Sequence, residues 1–518
     1  MSTTYERIPT EALTTSPRVG WRGWTALAVL MLPVLLVSVD NTVLSFALPQ
    51  IALHLEPTST QQLWIIDAYP LVLASLLVTM GTLGDRFGRR RMLLIGATGF
   101  GIVSVLAAFA PSAALLIAAR AGMGVFGAML MPSTLSLLRS IFRDREQRRL
   151  AIAIWAAGFS AGMALGPIVG GLLLEHFAWG SVFLLAVPVL VPLLILVPLL
   201  IPESRDPKPG RIDPLSIALS LGAMVPFVYG IKSLAVEGVA GPALPLIAFG
   251  ILLAALFVRR QLKAEQPMLD MALFRHTPFS GAILVNLLSV ISLVGFLYFV
   301  AQHLQLILGL SPMDAGLALL PGLAVMIVAG LLIVPVARRV APRLLVPSAL
   351  VLSVLGYVMV ALTAGEGSLS LLVIAFMSLG AGIGIAETVS NELVLSSAPA
   401  AKAGAASAVS ETAYELGAVL GTTIMGGILT AYYRATLQLP AGIPADAAYQ
   451  ARETLAGAVA SADQLGEPLA TALRDAAAHA FDGGVVITSL IGAGLVVIAA
   501  VIAAVTLGKS RPTAAAEH

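Results

Sequence analysis

The 518 residues contain no cysteine, and Asp, Glu, Lys and Arg together make up only 11% of the chain. The first absence excludes disulfides, thiolate nucleophiles and cysteine-ligated metals. The second excludes an ordinary soluble domain, in which charged residues are about 25%. There is no HExxH pair and no nucleophile–histidine constellation, so neither hydrolytic chemistry nor a metal site is expected. His303, near a predicted helix end, reads as an interfacial hydrogen-bonding residue. Gly122-Met-Gly-Val-Phe-Gly127 matches a dinucleotide fingerprint in letters, but it lies in an apolar run, follows no strand and suits close helix packing. Gly508-Lys509-Ser510 resembles the end of a phosphate loop, yet Ala503 stands where the first glycine belongs. With no nucleotide site, any work must draw on an ion gradient or on the substrate's own gradient. No cofactor and no nucleic-acid partner are expected.

Apolar length is what the chain does have. Apolar residues are 58% of it, in runs throughout, which marks a polytopic membrane protein. Helices are expected at about 24–48, 62–83, 92–111, 113–138, 149–175 and 179–201. Two more are expected at about 213–236 and 243–260, and six at about 278–308, 314–337, 342–364, 369–396, 402–433 and 484–507. Residues 1–23 and 508–518 then read as tails, 24–201 and 278–507 as six-helix bundles, and 202–277 as a linker with two extra helices. The alanine-rich segment 434–483 reads as a long loop holding short amphipathic helices near 445–460 and 468–480.

Gly81–Arg91, Gly-Thr-Leu-Gly-Asp-Arg-Phe-Gly-Arg-Arg-Arg, orients these helices. Four arginines in one turn cannot enter hydrocarbon cheaply, and cationic turns stay cytoplasmic. Of the 30 lysines and arginines, five fall elsewhere: Arg120 and Lys232 inside helices, and Arg434, Arg452 and Arg474 in the long loop. One missed helix would scatter that bias, so an even helix number with both termini cytoplasmic and 434–483 external is expected. Trp64, Trp179, Tyr432 and Tyr433 suit the outer aromatic belt, and Trp21 and Trp24 the inner one. Val336–Arg343 repeats the basic turn at the corresponding place in the last six helices, as two parallel halves would require.

Ionisable groups within spans are functional suspects, because each is costly unless paired or hydrated. They are Asp40, Asp67, Arg120, Lys232, Glu387, Glu392, Glu411 and Glu415. Asp40 and Arg120 lie at similar depths, roughly 10–12 Å from the outer face at 1.5 Å per residue, so they can pair if their helices touch. That pair is either a static salt bridge or a carboxylate whose protonation Arg120 and solvent control. Asp67 is either a rim residue facing water or an outer-vestibule acid that attracts a cation. Lys232 either snorkels or pairs with Glu237. Glu411 and Glu415, at i and i+4, share a helix face and suit proton exchange, or one of them hydrogen-bonds a neighbouring helix. Glu387 and Glu392 sit in the inner half of helix twelve. Acids outnumber bases, which favours a cationic cargo or protons. Gly158, Gly162, Gly166 and Gly170 form a four-residue ridge for close helix approach, with Gly171 beside it and Pro167 permitting a bend.

Gly81, Gly84, Asp85, Arg86, Gly88, Arg89 and Arg90 resemble the loop between helices two and three of major facilitator superfamily transporters. Gly162–Gly171 resembles the helix-five signature of superfamily antiporters. Arg120 with Gly124 and Gly127 resembles their helix-four motif, and Asp40–Pro49 the helix-one motif of the fourteen-helix drug:proton antiporters. The sequence looks most like mycobacterial multidrug pumps of that family. The resemblance implies an all-α fold of two six-helix bundles with two inserted helices in the plasma membrane. It also implies a non-enzymatic, monomeric exporter driven by protons and conferring drug resistance. Its substrates would be lipophilic cations such as dyes, quaternary ammonium compounds and fluoroquinolones. Asp40, Arg120, Glu411 and Glu415 would carry protons, and Asp67, Glu387, Glu411 and Glu415 would meet substrate. The helix-two acid is often absent from the family, so Asp67 points to a cation-handling subset. Two other readings remain open: a transporter of one metabolite or lipid-like substrate, and a membrane receptor or enzyme.

Overall fold

The computed structural model describes residues 19–205, 213–238, 241–264, 267, 271–337, 339–365, 367–397 and 403–508. The described backbone is helical throughout apart from short connections. Among the described residues, thirteen helices are long and apolar enough to cross a membrane. The bent α5 (Arg145–His176), whose pieces Glu146–Met163 and Leu165–His176 meet at 41°, makes a fourteenth. The bend has a local cause. Pro167 has no N–H to give the carbonyl four residues earlier, and that Met163 carbonyl accepts the Thr42 hydroxyl instead, at 3.0 Å.

The first half contains α1 (Trp21–Leu55), α2 (Ser59–Phe87), α3 (Arg89–Ala108), α4 (Ala113–Ile141), α5, and a sixth span broken at Leu185 into α6 (Ser181–Leu184) and α7 (Ala186–Leu200). Helix starts follow the polar residues in the connections: Thr58 with Gln61 closes a capping box on α2, and Ser112 and Asp144 cap α4 and α5. In this half α1 packs on α5 and α7, and α4 on α2 and α3.

The second half contains α10 (Thr277–Gln302), α11 (Pro312–Ala337), α12 (Pro342–Thr363), α13 (Leu369–Ser397), α14 (Ala403–Gly421) with α15 (Gly427–Thr436), and α18 (Leu469–Thr506). A π turn, Thr422–Gly426, joins α14 to α15. The halves meet along two seams, α5 against α11 and α2 against α14. Between them in sequence lie α8 (Pro214–Glu237) and α9 (Ala243–Lys263), which pack mainly on each other. Large apolar side chains such as Leu199, Leu362 and Val505 stay exposed on the bundle exterior, as lipid-facing surface requires.

Several expectations need correction. The turn expected over Gly81–Arg91 is shorter: α2 runs to Phe87 and α3 starts at Arg89, so the turn is Gly88 alone, at φ 119°, which only glycine takes without strain. The last span begins at Leu469 and not near 484. The segment before it carries α16 (Ala445–Glu453) and α17 (Leu455–Asp463); α17 packs onto α18 and α1, and α16 onto α17. Trp64 and Trp179 are packed against neighbours and do not form a belt: Trp64 lies under Lys232 and Trp179 is buried. Gly124 does serve helix packing, since a Cβ there would stand 2.7 Å from the Tyr69 carbonyl of α2.

Candidate functional site

Asp40 and Arg120 do meet. Arg120 Nη1 lies 2.6 Å from Asp40 Oδ2, with both side chains almost wholly buried. Arg120 Nε donates to the Ile65 carbonyl at 3.2 Å, and its guanidinium sits 4.6 Å from the Tyr69 ring centre and 5.9 Å from that of Phe183. The close approach of α1 to α5 comes from the glycine ridge. A Cβ on Gly162 would lie 2.6 Å from Ser38 Cβ, and one on Gly166 would run into Thr42. A Cβ on Gly158 would strike the Met31 methyl, and one on Gly170 would meet Val43. Gly171 belongs to a different contact, the seam with α11, where its Cβ would stand 2.8 Å from Met313 Cα.

Two chambers lie along the axis between the halves. The first is lined by Trp155, Phe159, Asn286, Glu387, Asn391 and Glu411 among others, and no lysine or arginine is among the described residues that line it. It opens toward the face that carries Gly88, where Asn391 and Leu395 are exposed. The second lies deeper and is lined by Asn41, Ser45, Pro70, Arg120 and mostly apolar residues. Met163 and Tyr414 line both chambers, and the Tyr414 hydroxyl approaches Met163 Sδ at 2.7 Å. Phe159 meets Tyr414 edge-on, with ring centres 5.6 Å apart. These side chains divide the chambers.

Glu411 lies in the first chamber. Glu415, one turn deeper, is fully buried and accepts a hydrogen bond from the Asn41 amide at 3.4 Å. Asn41 is the chain neighbour of Asp40 in α1, so Glu411, Glu415 and Asn41 lead from the open chamber toward the helix turn that carries the buried Asp40–Arg120 pair. One oxygen each of Glu387, Glu411 and Glu415 is buried without a hydrogen-bond partner. Glu392 faces outward, away from this group.

Asp67 is placed differently from either reading of its sequence. It is neither at a rim nor in the wall of either chamber. It is wholly buried, with Lys232 Nζ 2.8 Å from Oδ2, and the Thr423 hydroxyl donates to the same oxygen at 2.7 Å. Lys232 therefore does not snorkel but pairs with Asp67; the side chain of Glu237, its other expected partner, lies outside the described residues. In sequence, Lys232 and Asp67 are separated by 165 positions. Only matched depth, the signal used for Asp40 and Arg120, could have joined them.

At the Gly88 turn, Asp85 accepts from Arg89 Nε at 2.8 Å. Glu203 was assigned no role from sequence, yet its two oxygens accept the backbone N–H groups of Arg90 and Arg91, at 3.0 and 3.2 Å. It satisfies the orphan donors of the α3 N-terminus from the end of the sixth span. Arg90 reaches the Ile201 carbonyl and Arg89 the Ser204 hydroxyl, while Arg86 lies 6.0 Å from the Phe87 ring. Gly81 packs over Pro132, and Gly84 over Met92 and Ser133. Glutamate after proline in a polar linker was the available signal.

At the opposite face the halves are closed on each other. A Cβ on Gly316 of α11 would strike the Pro167 carbonyl. Gln62 of α2 donates to Gln302 of α10 at 3.3 Å. Glu453 of α16 takes both the N–H and the hydroxyl of Ser59, at 3.0 and 2.9 Å, and pairs with Arg434 at 2.6 Å.

Comparison with known proteins agrees with this arrangement. The family model of the Major Facilitator Superfamily matches residues 30–422. The multidrug efflux pump LfrA of Mycolicibacterium smegmatis is 55% identical over 98% of this chain and 100% of its own. The methyl viologen resistance protein SmvA of Salmonella typhimurium is 36% identical over 89% of this chain and 93% of its own. Among solved structures, a bacterial homologue of the human lysosomal transporter Spinster, inward-facing and occupied, matches with a TM-score of 0.64. It is 18% identical and covers 93% of this chain and 96% of that one. A D-xylose–proton symporter matches with a TM-score of 0.59 at 14% identity, covering 94% and 99%. These two share the fold.

Proposed function

The chain belongs to the major facilitator superfamily, and on that premise we propose that it is a multidrug efflux pump exchanging lipophilic cations for protons by alternating access between its two halves. The observation that carries the reading is the first chamber. Glu387 and Glu411 supply negative charge, Trp155, Phe159 and Tyr414 supply ring faces, and none of the described lining residues carries a fixed positive charge. A flat or bulky lipophilic cation is held in such a wall by charge and by cation–π contact without directional hydrogen bonds, which suits many drugs of differing shape. LfrA and SmvA bear names of multidrug efflux and methyl viologen resistance, and methyl viologen is a dication.

The mechanism follows from the order of groups. The drug enters from the side of the Gly88 turn and meets Glu411 and Glu387. Protons arriving from the opposite side after the halves rock neutralise Asp40, Glu415 and Glu411 in turn, which weakens the hold on the cation and releases it. Asp40, Arg120, Glu411 and Glu415 are thus the proton-carrying set, and Glu387 and Glu411 the cation-holding one. Asp67 lies outside the drug's path in this conformation. Protons are the only coupling agent invoked, and a single copy of the chain holds the whole path.

Cells expressing the protein should accumulate less of a fluorescent cation such as ethidium than cells without it, and an uncoupler should abolish the difference. Extrusion that survives the uncoupler would overturn proton coupling, and greater accumulation would point to an importer. The Gly88 turn is assigned to the cytoplasm and α16 to the outside of the plasma membrane. A cysteine at Tyr449, in this cysteine-free chain, should label from outside, and one at Arg143 only after permeabilisation. Reversed labelling would invert the direction of transport.

A further inference from the structure

The Asp67–Lys232 pair lies outside the drug's path, and the proton route through Glu411, Glu415 and Asp40 does not use it. Both side chains are wholly enclosed. Yet they are poorly satisfied. Asp67 Oδ2 takes both the Lys232 ammonium and the Thr423 hydroxyl, while Oδ1 has no hydrogen bond. Among the described residues Lys232 has that one carboxylate, with the Trp64 ring 4.0 Å away on another side. Buried ion pairs that serve stability alone need their remaining lone pairs and protons satisfied, since desolvation otherwise exceeds the Coulombic gain. Among the described residues this pair lacks that support, and it lies within membrane-spanning helices.

Its three components come from three parts of the molecule. Asp67 belongs to the first half, Lys232 to the inserted α8, and Thr423 to the second half. Thr423 stands in the π turn, where the regular helical ladder is interrupted; such turns occur often at functional sites. Around them α8 lies across the α2–α14 seam, through a small apolar cluster of Leu71, Val228 and Val419. The other groups facing Asp67 are Thr422 from the same turn and the Tyr298 phenol from α10.

We propose that Asp67 and Lys232 form a second proton-exchange site, separate from the drug chamber, whose occupancy is set by whether the second half holds Thr423 against Asp67. With Thr423 in place, its O–H donation and the ammonium keep Asp67 as a carboxylate. When rocking withdraws Thr423, the carboxylate keeps only Lys232 and takes a proton from water admitted at the opening seam. The site then gains one positive charge, and it returns that proton when the seam closes. No bond other than O–H and N–H changes, and the inserted helix supplies the fixed cation. The proposal rests on the reading of the protein as a proton-driven exporter.

The test uses purified full-length protein in liposomes, with ethidium as the cation and proton and ethidium fluxes read together. Asp67→Asn/Lys232→Met leaves no unpaired charge. It should bind ethidium within about threefold of the parent while losing about tenfold or more of gradient-driven transport, with fewer protons moved per ethidium. Thr423→Val keeps the ion pair and should shift the pH profile of transport, whereas Thr423→Ser should leave it in place. A double variant that transports at the parental rate with the parental proton ratio would make the pair structural and overturn the proposal. If the double variant does not fold, an unshifted profile in Thr423→Val overturns it equally. If the parent itself moves ethidium without protons, the exporter reading fails; parental coupling with unaltered variants sinks only this site.

Discussion

At the residue scale the two buried basic side chains are held in contrasting ways. Arg120 is supported from several directions, by Asp40, the Ile65 carbonyl and the Tyr69 and Phe183 rings, so its charge is spread over partners that do not titrate together. Asp40 depends on Arg120 alone for an opposite charge. Removing the two partners should therefore have unequal effects. Arg120→Ala strands a carboxylate in low dielectric and should destabilise the fold by about 3–5 kcal/mol, read as a fall in unfolding temperature and in recovered protein. Asp40→Asn keeps an oxygen for Arg120 and mimics the protonated state, so it should fold, bind drug and fail only in uphill efflux. Equal loss of folded protein in both variants would make the pair a static salt bridge. The depth match that joined these residues was open to Asp67 and Lys232 too, but it could not say that α8 packs on α2, because the packing position of an inserted helix leaves no periodic trace in hydropathy.

At the element scale, polar residues at helix ends decide which elements bind each other. Glu453, the last residue of α16, sits at the N-terminus of α2, where unpaired N–H groups and the helix dipole favour an anion. Partial burial works to raise its carboxyl, but the Ser59 N–H and the Arg434 guanidinium outweigh this and hold it below the usual glutamate range. The sign follows from the depressed value. Docking of α16 should be fully supported above the unfolded glutamate value, about 4.3, and lost as pH falls below it through the lower folded value. Amide hydrogen exchange across Ala445–Glu453 should be slow at pH 5 and 7 and quicken below about pH 4. In Glu453→Gln it should already be fast at neutral pH. Protection indifferent to both changes would mean that apolar packing alone holds α16. The early start of α18, at Leu469, belongs to the same region. Its first turns are alanine-rich and studded with charge, so a hydropathy threshold stops near 484 while the helix continues.

At the scale of the whole molecule, fourteen spans and two halves were legible because bilayer thickness imposes its length on every apolar run. The glycine ridge was legible because residues four apart share a face, and the structure puts Gly158–Gly170 against α1. The division of the path into two chambers was not. It depends on Met163 and Tyr414 from opposite halves meeting across the axis, and neither residue type carries a signal alone. The role of Glu203 was hidden for a related reason, since a capping partner supplied from the far end of the half has no fixed spacing. The central claim is that the halves rock around one acid-lined path that admits either a cation or protons. The most direct measurement is proton movement in liposomes holding the purified protein, at zero membrane potential, when a gradient of ethidium alone is imposed. The account predicts proton flow opposite to the ethidium gradient, absent in Asp40→Asn and in protein-free liposomes. Ethidium movement with no accompanying proton flow in the parent protein would contradict it.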